Sequence, residues 1–263
     1  DYFYAYQVRG GRYKLTAKFE SRTNIIKMAN DGGFEPTLYE VGSDLFIPSP
    51  QSGLVGYWNF DEIGTTTEDL SGYDNDGIMY SSTSITDLHT TTSCKIGYCV
   101  NFDGTDDYIR INDSNSLDVS NSFTFTGWLY TLSTSSLQTV LSKDGIGSDT
   151  TGAYNVYIGT DLSVQYETNN INGVISLANA VKLNNWHHFG IIFDNNIAPK
   201  LKIYIDGNKI TEGNPTAPYI LTTDLLIGRR GIGSFMKGLL DEIHIYNRAL
   251  SDQEIKILYD ISK

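Results

Sequence analysis

Two cysteines, four histidines and several paired carboxylates are the residues of this chain whose types and spacing could do chemistry. Cys94 and Cys99 stand in the run Cys-Lys-Ile-Gly-Tyr-Cys. A zinc centre needs four ligands, and no second cysteine pair completes one. The redox spacing Cys-x-x-Cys is not met either. A small-loop disulfide around Gly97 is the favoured reading and implies an oxidising compartment, with two buried thiols as the alternative. So short a loop contributes little stability. The histidines are His89, His187, His188 and His244. His187 and His188 are neighbours on a predicted strand, so their side chains point to opposite faces and cannot share one metal. One packed and one exposed histidine is the expectation. No Gly-x-Ser-x-Gly elbow or phosphate-cradling loop is present. The carboxylates gather in turns, at Asp61-Glu62, Asp103, Asp106-Asp107 and Asp241-Glu242. Such oxygens suit a hard cation, but Asp and Asn in turns also satisfy their own backbones.

The balance of charge narrows the partners. Nineteen Lys and Arg against 31 Asp and Glu give a net charge of −12. No basic cluster offers the face that a nucleic acid needs, and anionic membrane surfaces are disfavoured for the same reason. No apolar stretch approaches the roughly 18 residues of a membrane span, so direct membrane insertion of this chain is not expected. No signal peptide is visible, and a first residue Asp1 fits a processed or trimmed product. Hydrophobic residues make up 40% of the chain, with 18 Tyr and 11 Phe. That is ample for a core and argues against global disorder. The length of 263 residues fits one large domain, alone or with a smaller companion.

Short strand-like runs position these residues. Tyr2, Tyr4 and Tyr6 alternate, Gly10-Gly11 turns the chain, and Tyr13, Leu15, Ala17 and Phe19 alternate again, a hairpin signature. Pro48 to Gly53 reads as a linker, placing a boundary near Ser52 between an N-terminal segment, 1–52, and a larger domain, 53–263. Beyond it, strands are predicted over 54–60, 108–111, 123–130, 154–158, 162–166, 186–193, 201–205 and 243–246. Asp103-Gly104 and Asp206-Gly207 supply turns. Many short strands without interleaved helices mean a sandwich or barrel. One helix is predicted at the end, where Ser251-Asp-Gln-Glu254 is a capping box and Ile255, Leu258 and Tyr259 form an apolar stripe.

The ordered set of local motifs resembles the laminin-G-like/concanavalin A-like jelly-roll family of surface proteins. The matching segments are Leu54 to Glu62, Asp69-Leu-Ser-Gly72 with Asn75 and Gly77, Val100 to Gly104 with Asp107-Tyr108, Phe123 to Trp128, Asn185 to His188, Tyr204 to Gly207, Leu226 to Gly228 and Gly238 to Leu250. The resemblance implies an all-β sandwich of two antiparallel sheets with first and last strands adjacent, and a role in binding carbohydrate or neighbouring surfaces. It assigns Trp58, Trp128 and Trp186 to packing. Relatives of this fold include glycoside hydrolases, but their Glu-x-Asp-x-Glu strand pattern is absent, and no enzyme is expected. Side-by-side first and last strands would also bring Asp61 to Asp241. A structural calcium is therefore expected there, with Asn75 or a carbonyl near Gly104 assisting.

For ligand contact, sugars stack on aromatic faces and hydrogen-bond to polar side chains. Tyr154, Tyr157 and Tyr166 on mid-chain strands and Arg229-Arg230 in a loop beside Phe235 are the candidates. The N-terminal segment, Tyr2 to Ser21, looks like the terminal hairpin of type IV pilin-like proteins, against the plainer reading that it extends one edge of the sandwich. Two functions follow as expectations. The first is an extracellular, non-catalytic module recognising a polysaccharide or glycoprotein, displayed on a pilus-like assembly. The alternative is a structural pilus, pseudopilus or surface-layer subunit making protein–protein contacts alone.

Overall fold

The computed structural model describes residues 4–9, 12–17, 39–42, 52–81, 88–90, 93–144, 153–169, 172–231 and 233–262. The chain divides into two compact units, Asp1–Ser52 and Gly53–Lys263. In the smaller unit the strands Tyr4–Arg9 and Arg12–Ala17 pair antiparallel with Arg9 opposite Arg12. Tyr39–Gly42 adds a third strand that the sequence reading did not contain. The rest of the segment behind the pilin-like reading lies outside the described residues.

The larger unit is built from two eight-stranded antiparallel sheets. The first runs, in spatial order, Asn208–Gly213, Leu201–Ile205, Trp186–Asp194, Ser122–Thr131, Lys237–Tyr246, Cys99–Asp103 and His89–Thr90, with Leu54–Trp58 also paired to Lys237–Tyr246. First and last strands of the sandwich are thus adjacent, as the resemblance implies. The second runs Asn172–Ile175, Val164–Thr168, Tyr154–Ile158, Gln138–Ser142, Leu225–Ile227, Tyr108–Ile111, Gly77–Tyr80 and Thr66–Thr67. The period-2 pattern explains the layering. Phe123 and Phe125, Phe189 and Ile191, Ile109 and Ile111, and Val156 and Ile158 all turn into one buried cluster between the sheets. Each such side chain, fully withdrawn from water, stabilises the fold by roughly 1.5–3 kcal/mol before conformational entropy is charged against it.

A helix, Asp252–Ser262, covers part of the outer face of the first sheet. Its capping box forms: the Glu254 N–H donates to Ser251 Oγ at 3.2 Å, and the Ser251 N–H donates to Glu254 Oε2 at 2.8 Å. Ile255 seats it among Leu54, Ile192, Tyr204, Tyr246 and Leu250. Tyr259 packs over Trp128 at 5.8 Å between ring centroids.

Candidate functional site

The first sheet carries its carboxylates on the outer face because its longest ladder is broken. Thr126 pairs with His244 but Trp128 pairs with Asp241, so Gly127 alone faces Glu242 and Ile243. This is a β-bulge, and Glu242 takes a left-handed φ of 53° within it. The extra residue puts Asp241, Glu242 and His244 on one side while Ile243 stays in the core. The Tyr57 hydroxyl donates to Glu242 Oε2 at 2.9 Å, and the Tyr57 ring stacks on His244 at 4.1 Å.

The disulfide loop closes over this cluster. Cys94 and Cys99 are bonded, in line with the favoured sequence reading. Asp241 Oδ2 accepts the Lys95 and Ile96 N–H groups at 3.1 and 2.9 Å, and Asp61 Oδ1 accepts the Tyr98 N–H at 2.8 Å. Gly97 takes a left-handed φ of 53°, which favours glycine, and a Cβ there would lie 2.1 Å from Asp61 Oδ1 and displace that carboxylate from the loop. The Lys95 ammonium sits 4.0 Å from the Trp128 ring. Asp241 Oδ1 is buried with no hydrogen-bond partner. Burial first, then the charges of Glu242 and Asp61, pushes the Asp241 carboxyl up to about 8. Burial, with the Asp61 charge, pushes Glu242 up to about 7.

The four residues expected to share a calcium do not form one site. Asp61 and Asp241 do converge, on the disulfide loop. Gly104 lies at the other end of the ladder, where Asp103 pairs with Lys237, and one strand length separates it from Asp241. Asn75 is anchored elsewhere: its Nδ2 donates to Val55 O and Ser116 Oγ, and its backbone carbonyl accepts the Trp58 Nε1–H. Among the described residues, the acidic groups whose oxygens all lie within 4.8 Å of one another are Asp103, Asp106 and Asp107, flanking Gly104.

The histidine expectation also changes. His187 and His188 face opposite ways, but both are buried. His187 Nε2 accepts the Lys182 N–H, so Nδ1 carries the proton toward Asp206 Oδ2 at 2.8 Å. His188 Nε2 pairs with Thr126 Oγ1 at 2.8 Å, and burial lowers its pKa to about 3. Trp58 and Trp128 are packed as expected, whereas Trp186 is half-buried and donates to Ser93 O at 2.6 Å.

The second sheet splits the expected ligand residues. Tyr154 and Tyr166 turn into the core, where Tyr154 packs on Phe125 at 4.8 Å and Tyr166 on Phe123 at 6.0 Å. Their alternation with Val156 and Val164 leaves no exposed ring face, so they are structural. Tyr157 points to the outer face but is also fully buried. There it meets Arg230, whose Cζ lies 5.8 Å from its ring and whose Nε donates to Asp144 Oδ2 at 2.9 Å. Asn155 Nδ2 completes that group on Asp144 Oδ1 at 3.3 Å.

Arg229 is set differently. Gly228 takes φ +84° at the strand end, and a Cβ there would lie 2.3 Å from the Phe102 ring, so only glycine permits this turn. The turn delivers Arg229 to a half-buried position over Tyr108 at 4.8 Å and Phe235 at 5.2 Å. Tyr108 stacks on Tyr80 at 4.8 Å, the two being directly opposite in register. On the same face Arg110 is held to Asp224 at 2.6 Å, and Ile78 is 42% exposed. Tyr80 and Tyr108 were missed as site residues. Tyr108 alternates with Arg110 outside the core residues Ile109 and Ile111, which was a readable signal. Its pairing with Tyr80 is set by tertiary register and was not.

Known proteins share this fold. The sequence profile of the Concanavalin A-like lectin/glucanases superfamily matches residues 103–256. Sequence comparison with curated proteins finds no match. The fold is similar to domain 4 of AbnA, a GH43 extracellular arabinanase from Geobacillus stearothermophilus, solved in complex with arabinotriose. The two are 18% identical with a TM-score of 0.61, over 80% of this chain and 98% of that one. It is also similar to the binding domain of Paraclostridial Mosquitocidal Protein 1, at 15% identity and a TM-score of 0.58, over 81% of this chain and 53% of that one. The binding domain of Botulinum neurotoxin DC in complex with rat synaptotagmin II gives 14% identity and 0.58, over 82% and 53%. The chain thus spans about half the length of these toxin domains. At such identities the likeness establishes the fold. The pilin-like reading of the N-terminal segment finds no support in any of them. The profile match covers more than half of the sequence, and on that ground the chain belongs to the concanavalin A-like lectin/glucanases superfamily.

Proposed function

We propose that this chain is a non-catalytic extracellular module that binds a carbohydrate or surface glycoprotein through the outer face of its second sheet, at Tyr80, Tyr108, Arg229 and Phe235. The observation that carries the reading is the half-buried stack itself: rings and a guanidinium already in contact, with apolar and polar edges presented together, are what a sugar face and its hydroxyls require. The arabinotriose complex of the arabinanase domain and the toxin binding domains support a binding role for this fold. The absence of a paired-carboxylate strand pattern supports a non-catalytic one. Asp241 and Glu242 are adjacent, yet Asp241 is fully buried and gripped by the disulfide loop. A glycan microarray probed with the whole chain and with Tyr108→Ala tests the reading. Specific signal weakened at least tenfold by the substitution is expected. A silent array, with self-association of the chain in solution, would instead favour a structural subunit.

Calcium belongs with this proposal on a different donor set from the one the sequence indicated. Asp103, Asp106 and Asp107 fit a hard cation because Asp107 is buried and its Oδ1 has no hydrogen-bond partner. Binding only to the native state would raise the melting temperature with calcium and lower it with EDTA. Equal melting in both would sink it.

A further inference from the structure

The arginines of the larger unit divide into two kinds. Arg110 is paired with Asp224, Arg230 with Asp144 and Arg248 with Glu254. Among the described residues, Arg229 is the arginine of this unit that no carboxylate neutralises. Its side chain is nevertheless fixed: Nε donates to Arg230 O and Nη2 to Gly231 O, both at 3.1 Å. The Tyr108 and Phe235 rings hold its plane. A guanidinium has five N–H donors in a rigid fork. Two are used, so the end-on edge formed by Nη1 and Nη2 keeps donors for a bidentate partner. A stacked, pre-oriented fork loses little rotamer freedom on binding. An unneutralised cation held this way is set apart on a chain of net charge −12.

We infer that this site selects an acidic sugar, its Arg229 fork taking the carboxylate while Tyr108, Tyr80 and Phe235 contact the ring. The inference rests on the glycan-binding reading above and adds the class of ligand. Neutral stacking on aromatic rings is worth about 0.5–1.5 kcal/mol beyond area burial. A charge-assisted bidentate pair is stronger and directional, so discrimination between acid and neutral sugar falls to Arg229. Of the acids nearby, Asp224 and Asp144 are already held by Arg110 and Arg230, while Asp103, Asp106 and Asp107 beside Tyr108 are the cluster to which the calcium proposal assigns a cation.

The test is titration calorimetry of the whole chain at low and physiological salt. The probes are trigalacturonate and its carboxyl-reduced neutral form, and sialyllactose and lactose. The expected result is binding of at least one acidic probe tenfold or more tighter than its neutral counterpart. The preference should fall with salt and be lost in Arg229→Gln, whose affinities for an acidic probe and for its neutral counterpart should become equal. The two acidic probes separate a uronate from a sialate as the source of the carboxylate. Equal affinity for acidic and neutral probes overturns this inference and leaves the glycan-binding reading standing. No binding to any of them overturns this inference, and the glycan array then decides the reading on which it rests. An acid preference that survives in a folded Arg229→Gln removes the assignment to this residue. Should that variant fail to fold, the comparison of acidic with neutral probes on the unaltered chain still decides.

Discussion

The two outer faces of the sandwich start from the same chemistry and end differently. The first sheet presents Asp241, Glu242, His188, His244, Tyr57 and Trp128, and the second presents Tyr80, Tyr108, Arg110, Arg229 and Phe235. Composition alone would make the first the more reactive. Yet the helix Asp252–Ser262 and the disulfide loop close over it: Trp128 Nε1 donates to Ser262 Oγ at 3.0 Å, and the loop amides occupy Asp241. The second face keeps its stack half-buried, with one guanidinium unpaired by any described carboxylate. A cluster of titratable groups is thus poor evidence for a ligand site when the chain itself covers it and takes most of its polar atoms. An unspent donor beside partly accessible rings is better evidence.

The contrast is broken most forcefully by unsealing the first face. Ile255 is fully buried and anchors the helix. Ile255→Ala removes that anchor and leaves a cavity, at a cost of about 2–4 kcal/mol. For a unit of this size that is roughly a 5–15 °C fall in melting temperature by calorimetry. Arg229→Gln on the open face gives up two hydrogen bonds to backbone carbonyls and a partly exposed stack, at a cost of about 1 kcal/mol, so melting should fall by only about 2–4 °C. Equal losses at both positions would mean that the second face is structural as well.

How much of this was legible beforehand depends on whether the signal was local. The capping box at Ser251–Glu254 and the alternation in Phe123–Trp128 state their own geometry, and the fold follows from them. Strands lacking an apolar run, such as Asn208–Gly213 with half its residues exposed, were not readable because cross-strand pairing alone specifies them. Tyr154 and Tyr166 were misjudged because alternation places a residue on a face without saying which face meets the other sheet. The bulge at Glu242 was invisible for a related reason: it exists only as a mismatch between two distant strands. Arg229 was read as a candidate from its loop, but its separation from Arg230 depends on Asp144, a partner far away in sequence.

A smaller effect should follow from opening the disulfide. In the chain-entropy account, closing so short a loop stabilises by about 2 kcal/mol, and the loop's hydrogen bonds to Asp61 and Asp241 depend on its shape. The double variant Cys94→Ser, Cys99→Ser should melt a few degrees lower, roughly 4–8 °C. Binding at the second face should be unchanged. A binding loss equal to that of Arg229→Gln would show that the two faces are coupled.

A last effect is in pH dependence, and its sign is opposite to that of an ordinary paired carboxylate. Asp241 and Glu242 titrate near 8 and 7 in the fold, but near the usual carboxylate range in the unfolded chain. Facing them are Asp61, which adds like charge, and Tyr57, which donates to Glu242. Between pH ~5 and ~8 the folded chain therefore holds more protons than the unfolded one, and stability must fall as pH rises across that window. The slope flattens above about 8, where both states have lost the proton. Asp241→Asn keeps an oxygen for the Lys95 and Ile96 amides while removing the charge, so its melting curve should decline less. The expected gain over the natural residue is up to about 1.4 kcal/mol, or roughly 3–6 °C, for each pH unit crossed between ~5 and ~8. Parallel melting curves for the two proteins across this range would mean that Asp241 is ionised throughout. Its buried oxygen would then have to be balanced by a cation, and the first face would no longer be merely sealed.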